Sequence, residues 1–347
     1  MRKECKTAIK VNVGHIQGYH GNEWSGESYA FHGFPTNEYF NSDRTEPTAV
    51  VDGKLVRLDK KTGLPSGLPM ETVGLEVEVE CNGIVKLEAL SAIAEHILFP
   101  NFKYGDRMFK MQHDGSLGGA TSVEIITQPM TIAKIRNDYP AWKAMFEYMR
   151  KFDMSADSYD TDCGMHVNLG VDLFGKTEEE QKENLRKLYF LINNRYKFFR
   201  NLFYRSQYKS GWCLRMESSK LADYYIPYAE ELDFHNARNL DFDKVTGDHH
   251  FCLNYSHFKA GRIEIRLVGG QRDFDCFRET MECVFWIVGR IGTLRWDDLD
   301  DLVKVFKGCN QYVISRIESM CMFDRGFNHD MLMKLKNACE KKDYEVA

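Results

Sequence analysis

The chain has 347 residues, 43% hydrophobic and 28% charged, a balance that supports one elaborate core or two modules and argues against a disordered chain. A formal net charge of −5 argues against binding nucleic acid by bulk electrostatics. No apolar run is long enough to span a bilayer, the start Met1-Arg2-Lys3-Glu4-Cys5-Lys6 lacks a signal-peptide core, and the ten cysteines include no Cys-x-x-Cys, so a cytoplasmic protein with reduced thiols is expected.

Residues 1–70 differ from the rest. The stretch 14–40 is dense in Gly, His, Tyr and Phe without a helical or strand period, 48–58 reads as a hairpin through Asp52-Gly53, and 60–69 reads as a linker. This segment is expected to be an N-terminal appendage, either a packed cap over a sheet or a platform for a substrate or partner. A central region over 71–295 and a C-terminal helical segment over 296–347 complete the expected organisation.

The run Val73-Gly74-Leu75-Glu76-Val77-Glu78-Val79-Glu80 alternates, so it reads as a strand with Glu76 and Glu78 on one face. Two readings fit it: a solvated strand face, or a pair of carboxylates that a cation holds together. A helix with the spacing Leu87, Leu90, Ala94, Ile97, Leu98 comes next. The turn-rich His113-Asp114-Gly115-Ser116 leads into a β-branched run, Thr121 to Thr127, that carries Glu124 among apolar neighbours. Glu124 faces either solvent or a ligand.

A helix is expected around Trp142, Met145, Phe146 and Met149. In Cys163-Gly164-Met165-His166-Val167-Asn168-Leu169, His166 and Asn168 share one strand face, and His166 reads as a structural histidine or a metal ligand. A thiol nucleophile at Cys163 beside His166 is a minor alternative. Thr177 to Glu180 forms a capping box that opens a long helix running toward Phe203. The irregular 204–248, with Arg205, Arg215, Glu217 and Lys220, reads as a substrate loop whose Arg205 and Arg215 are candidates for gripping a carboxylate.

After Asn254-Tyr255 comes Gly261-Arg262-Ile263-Glu264-Ile265-Arg266-Leu267, in which Arg262, Glu264 and Arg266 share a face. The trio is a surface ion pair, or a place for a cation on Glu264 and anionic oxygens on the arginine forks. The stripe Phe277, Met281, Val284, Phe285, Val288 predicts a helix, and everything from Leu299 onward is expected to be helical.

The order Glu76-Val77-Glu78, Asp114-Gly115-Ser116 with Glu124, Cys163-Gly164-Met165-His166-Val167-Asn168 and Arg262-Ile263-Glu264-Ile265-Arg266 resembles the amidoligases of the glutamine synthetase and glutamate–cysteine ligase superfamily, over residues 72–291. The resemblance implies an α+β fold with a glutamine synthetase-like curved, mainly antiparallel sheet and helices on its outer face. It implies ATP with two Mg2+ ions, or Mn2+: Glu78 and Glu124 on the first, Glu76, His166 and Glu264 on the second. Arg266 matches the arginine that steadies the transferred phosphoryl group, and Arg262 a helper. Asn254 matches a nucleotide or phosphate contact, and Asp114 and Ser116 a motif for positioning substrate or metal. Relatives commonly have a second histidine where this chain has Asn168.

The implied activity is amide or isopeptide formation between carboxylate and amine substrates, whether small molecule, peptide or protein, in a bacterial or phage-infected cytoplasm. Asp162 and Glu217 are candidates for the base that deprotonates the amine. The chain has no Gly-x-x-x-x-Gly-Lys-Ser/Thr loop, so ATP would have to bind another way. Alternatives on the same fold are a non-catalytic binding or structural protein and a phosphotransferase; the oligomeric state is left open by the sequence.

Overall fold

A computed structural model describes residues 15–16, 28–30, 48–51, 54–57, 72–81, 98, 101–102, 109–113, 122–127, 129–151, 154–158, 161, 163–205, 213, 237–242, 251–323 and 333–337. Strands β1 (His15–Ile16) and β2 (Ser28–Ala30) come first, followed by β3 (Thr48–Val51) and β4 (Lys54–Arg57). The alternating runs then form β5 (Val73–Cys81), β6 (Phe109–His113), β7 (Ser122–Thr127), β8 (Met154–Ser155), β9 (Met165–Gly170), β10 (Leu253–Asn254) and β11 (Arg262–Ile265).

Nine of these strands make one sheet in the order β1-β2-β6-β7-β5-β9-β11-β10, with β8 also on β5, and every ladder is antiparallel. The fold is therefore α+β with an open antiparallel sheet. β3 and β4 pair separately, and Val51 opposite Lys54 leaves two residues to join them, as the Asp52-Gly53 signal requires. Part of the N-terminal segment belongs to the sheet itself, since β2 pairs β6 through Tyr29 and Met111.

The helices are α1 (Ile132–Asn137), α2 (Tyr139–Lys151), α3 (Glu178–Asn194), α4 (Tyr196–Leu202), α5 (Phe274–Ile291), α6 (Leu302–Phe306) and α7 (Gln311–Phe323). The capping box is present at the start of α3, where the Thr177 hydroxyl accepts from Glu180 N and the Glu180 carboxylate accepts from Thr177 N. Two expected helices are broken. The long helix toward Phe203 stops at Arg195, whose φ of −115° and ψ of 32° leave helical geometry before α4 begins. Of the helix expected from Leu299 onward, the described residues form α6, α7 and a helical stretch over 333–337, with α6 and α7 separated at Gly308, which takes a φ of 77°; 324–332 and 338–347 lie outside the described residues. The helix expected over 87–98 lies outside the described residues apart from Leu98.

Alternation divides the sheet chemically. Leu75, Val77, Val79, Val123, Ile125, Met165, Val167, Leu169, Ile263 and Ile265 are buried in one core with Trp142 of α2 and Phe277 and Met281 of α5. Trp142 packs against Phe102, Phe109 and Phe277 with ring centroids 5.1, 6.1 and 5.0 Å apart. Burial of each such ring contributes about 1.5–3 kcal/mol. Behind this layer, Glu282 of α5 is buried and accepts from Arg136 Nε and Nη2 at 2.8 and 2.7 Å, Tyr139 Oη at 2.7 Å and Asn310 Nδ2 at 2.8 Å. That carboxylate joins α1, α2, α5 and the start of α7. Among the described residues no helix is long and apolar enough to cross a membrane.

Candidate metal and anion site

With the apolar residues committed to the helices, the alternate residues of β5, β7, β9, β10 and β11 all lie on the opposite face. Antiparallel register brings them into rows. Glu78 lies opposite Glu124, Glu76 opposite His166, and Glu264 opposite both Asn168 and Asn254. Glu78, Glu124, His166 and Glu264 are each at most 6% exposed, and the Glu76 side chain is 23% exposed. The solvated-face reading is therefore set aside for these residues. Like charges directly opposed on a buried face demand a counter-charge.

Part of it comes from His166. Its Nδ1 lies 3.1 Å from Glu76 Oε2 and 3.3 Å from Glu264 Oε1, and its Nε2 3.6 Å from Glu78 Oε1. Burial disfavours the charged ring, but the hydrogen bond to Glu76 and the nearby carboxylates outweigh burial and the repulsion of Arg266, raising the His166 pKa above its ordinary 6.5. Burial likewise opposes ionisation of Glu76, yet hydrogen bonds from His166 and Asn168 and the nearby Arg262 bring it down to about 2. Asn168 Nδ2 donates to Glu76 Oε1 at 2.8 Å.

The other carboxylates are held individually. Glu78 Oε2 accepts from the Gly164 amide. Glu264 accepts from Arg266 Nη1 at 2.6 Å and Asn254 Nδ2 at 2.9 Å, while Asn254 Oδ1 accepts from Ser256 N at 3.0 Å. One set of ligand atoms, from Glu76, Glu124 and His166, lies within 4.8 Å of one another. This trio cuts across the expected division into a Glu78/Glu124 ion and a Glu76/His166/Glu264 ion, because the β5–β7 and β5–β9 ladders meet at β5. Two carboxylates and an imidazole are donors that a hard divalent cation accepts.

Two arginines on the same face keep donor capacity. Arg266 uses Nη1 on Glu264, and its buried Nε has no partner among the described residues. Arg262 makes no side-chain hydrogen bond or ion pair among the described residues, although its charge reaches Glu76. A ring of carboxylates bordered by guanidiniums suits a cation bridging to anionic oxygens.

Cys163 does not belong to this chemistry. Burial pushes its thiol up to about 12, and Sγ points to Ser155 O at 3.6 Å, so it is not a ready nucleophile. The six cysteines whose side chains are described are all free and buried. Asp114, Ser116, Asp162, Arg215, Glu217 and Lys220 lie outside the described residues. Two contacts are not legible in the sequence: the Gly164 amide on Glu78, and the packing of Arg205 against Gly164. The glycine after Cys163 is their only signal. No protein-family model matches the chain, and no curated protein matches it.

Proposed function

We propose that this chain is an ATP-dependent carboxylate–amine ligase that forms an amide or isopeptide bond through an acyl phosphate, on a curved sheet of the glutamine synthetase kind. The observation that carries the reading is one buried sheet face bearing Glu76, Glu78, Glu124, Glu264 and His166 beside Arg262 and Arg266. Glu76, Glu124 and His166 would hold a Mg2+ ion, with Glu78 and Glu264 beside them for a second. Such ions neutralise phosphate oxygens during phosphoryl transfer.

The chain's own groups divide the remaining tasks. A carboxylate does not condense with an amine in water, because its charge repels the nucleophile and oxide is a poor leaving group; phosphorylation removes both obstacles. Charge then grows on the oxygens of the phosphoryl group in flight, and Arg266, with its Nε unused, donates to them. Arg262 adds a second fork at the Glu76 end. Glu264 and Asn254 hold the Arg266 side of the site in place through their mutual hydrogen bonds.

The test is magnesium-dependent ADP release screened over carboxylate and amine pools, with mass spectrometry for the condensation product. With heavy oxygen in the substrate carboxylate, one label should pass to inorganic phosphate for each amide made. Amide with unlabelled phosphate overturns the acyl phosphate. ADP with a phosphorylated product and no amide assigns a phosphotransferase, and no turnover with any pair assigns a binding protein.

A further inference from the structure

Helix α4 ends at Leu202, and the chain leaves it through Tyr204 at a φ of 61°, a conformation that aromatic L-residues rarely adopt. Strain of this kind persists only where the surroundings over-determine it, and here they do. Gly269 N donates to Phe203 O at 2.9 Å, and Ser158 Oγ donates to Tyr204 O at 2.7 Å. Arg316 of α7, itself buried, donates to the carbonyls of Asn201 and Leu202 and lies 5.0 Å from the Tyr204 ring. Groups from three distant parts of the chain thus fix one backbone turn, whose product is the direction of Arg205.

The Arg205 guanidinium lies across the backbone of Gly164, the residue whose amide binds Glu78. A methyl group at Gly164 would run into Arg205 Nη1; it would lie 3.5 Å from Arg205 Cζ and 3.3 Å from Glu78 Oε2. The bare glycine leaves room for the guanidinium, which a methyl group would push aside. Arg205 is half-buried, and among the described residues only its Nη1 has an acceptor, Val268 O at 3.2 Å. A guanidinium has five N–H donors in a planar fork. The remaining ones have no partner among the described residues, although they stand next to the Glu78 end of the acidic face.

We infer that Arg205, seated on Gly164, is an oxyanion subsite that receives a carboxylate of the acid substrate at the Glu78 end of the face. The identity of that acid as a ligase substrate rests on the proposed function; the subsite rests on the contacts above. A planar fork whose remaining donors have no acceptor among the described residues suits a carboxylate. A tether to Val268 O alone would need neither the strained turn nor the glycine.

The test uses the full chain with saturating Mg2+ and titrates it calorimetrically with glutarate, with inorganic phosphate and, separately, with MgATP. Arg205→Ala should weaken glutarate binding by about tenfold to a hundredfold, the range for losing a charged hydrogen-bonding partner. Arg205→Lys should recover part of it, and the affinity for MgATP should hold. Gly164→Ala should copy Arg205→Ala; should it fail to fold, Arg205→Ala and Arg205→Lys carry the result. Failure of the wild-type chain to bind glutarate, or unchanged glutarate affinity in Arg205→Ala, overturns the subsite. An equal loss for phosphate overturns the carboxylate assignment and gives the arginine to the phosphoryl group. Arg205-dependent glutarate binding without any ATP turnover would leave the subsite standing and remove the ligase reading.

Discussion

His166 stands across the β5–β9 ladder from Glu76, with Nδ1 3.1 Å from Glu76 Oε2 and 3.3 Å from Glu264 Oε1. One ring nitrogen is thus shared between two carboxylates brought from strands far apart in the chain. Its proton supplies charge that a bound cation would otherwise bring. Proton and metal therefore compete for the same place.

The first prediction is the sign of that competition. Because the pKa of His166 is raised, its contribution to the stability of the metal-free chain is full below 6.5 and is lost as pH rises through the folded-state value. A bound ion requires the neutral ring, so Mg2+ affinity should rise over the same interval. Glu76, brought down to about 2, stays ionised there and adds nothing to the slope. Melting temperatures against pH should fall in chelator and fall less, or rise, in Mg2+. Parallel curves in the two buffers would remove His166 from the metal site.

A second prediction concerns Asn168, which donates to Glu76 Oε1 at 2.8 Å. Asn168→Asp replaces a donor with a fourth charge beside the trio. The metal-free protein should lose stability, by about 1–3 kcal/mol for a partly buried polar group turned repulsive, and Mg2+ affinity should increase. The measurement is urea unfolding with and without Mg2+. A variant equally destabilised in both conditions would mean that Asn168 serves packing alone.

How much of this arrangement is legible in the sequence differs by element. Strands β5, β7, β9 and β11 are legible because apolar residues alternate with polar ones along most of each, and the hairpin and capping box because their signals are local. The placement of β5 between β7 and β9 is not, since pairing partners are chosen by long-range packing. For that reason the acidic residues can be named from the sequence, but the trio of Glu76, Glu124 and His166 cannot be separated from Glu78 and Glu264. The break at Arg195 is hidden by an apolar stripe that continues through Phe198 and Phe199. Gly308 is a visible breaker within an otherwise helical pattern, and its positive φ shows why it acts as one.

A third prediction tests the helical layer behind the sheet. Burial alone would raise the pKa of Glu282, but hydrogen bonds from Arg136, Tyr139 and Asn310 lower it below 4.5. Its contribution is therefore present above 4.5 and is lost as pH falls through the folded-state value. Glu282→Ala leaves four donor atoms, on three residues, without their acceptor. Since the Arg136 side chain is 46% exposed and regains water, the loss should sit near the lower end of the range for a broken buried pair, about 3 kcal/mol. Chemical denaturation at neutral and acidic pH should show the gap between wild type and variant closing as the pH is lowered. A loss below about 1 kcal/mol would place the network among ordinary surface pairs.

The last prediction separates binding from chemistry at Arg266. Its Nη1 is already engaged with Glu264 Oε1 at 2.6 Å, so that arm is oriented in advance, while the buried Nε has no partner among the described residues. A donor held ready in a water-poor site contributes most when negative charge develops, and least to a ground-state complex. Arg266→Ala should therefore lower kcat by about 10²–10³, the cost of removing one such donor, with a much smaller change in the KM for ATP. Arg266→Lys keeps the charge but loses the fork, and so should restore the ion pair with Glu264 without restoring the rate. Removing Arg266 also frees Glu264 from its cation, so Mg2+ affinity should hold or rise while turnover collapses. If kcat is unchanged and only the KM for ATP rises, the residue acts in uniform binding and the transition-state role falls.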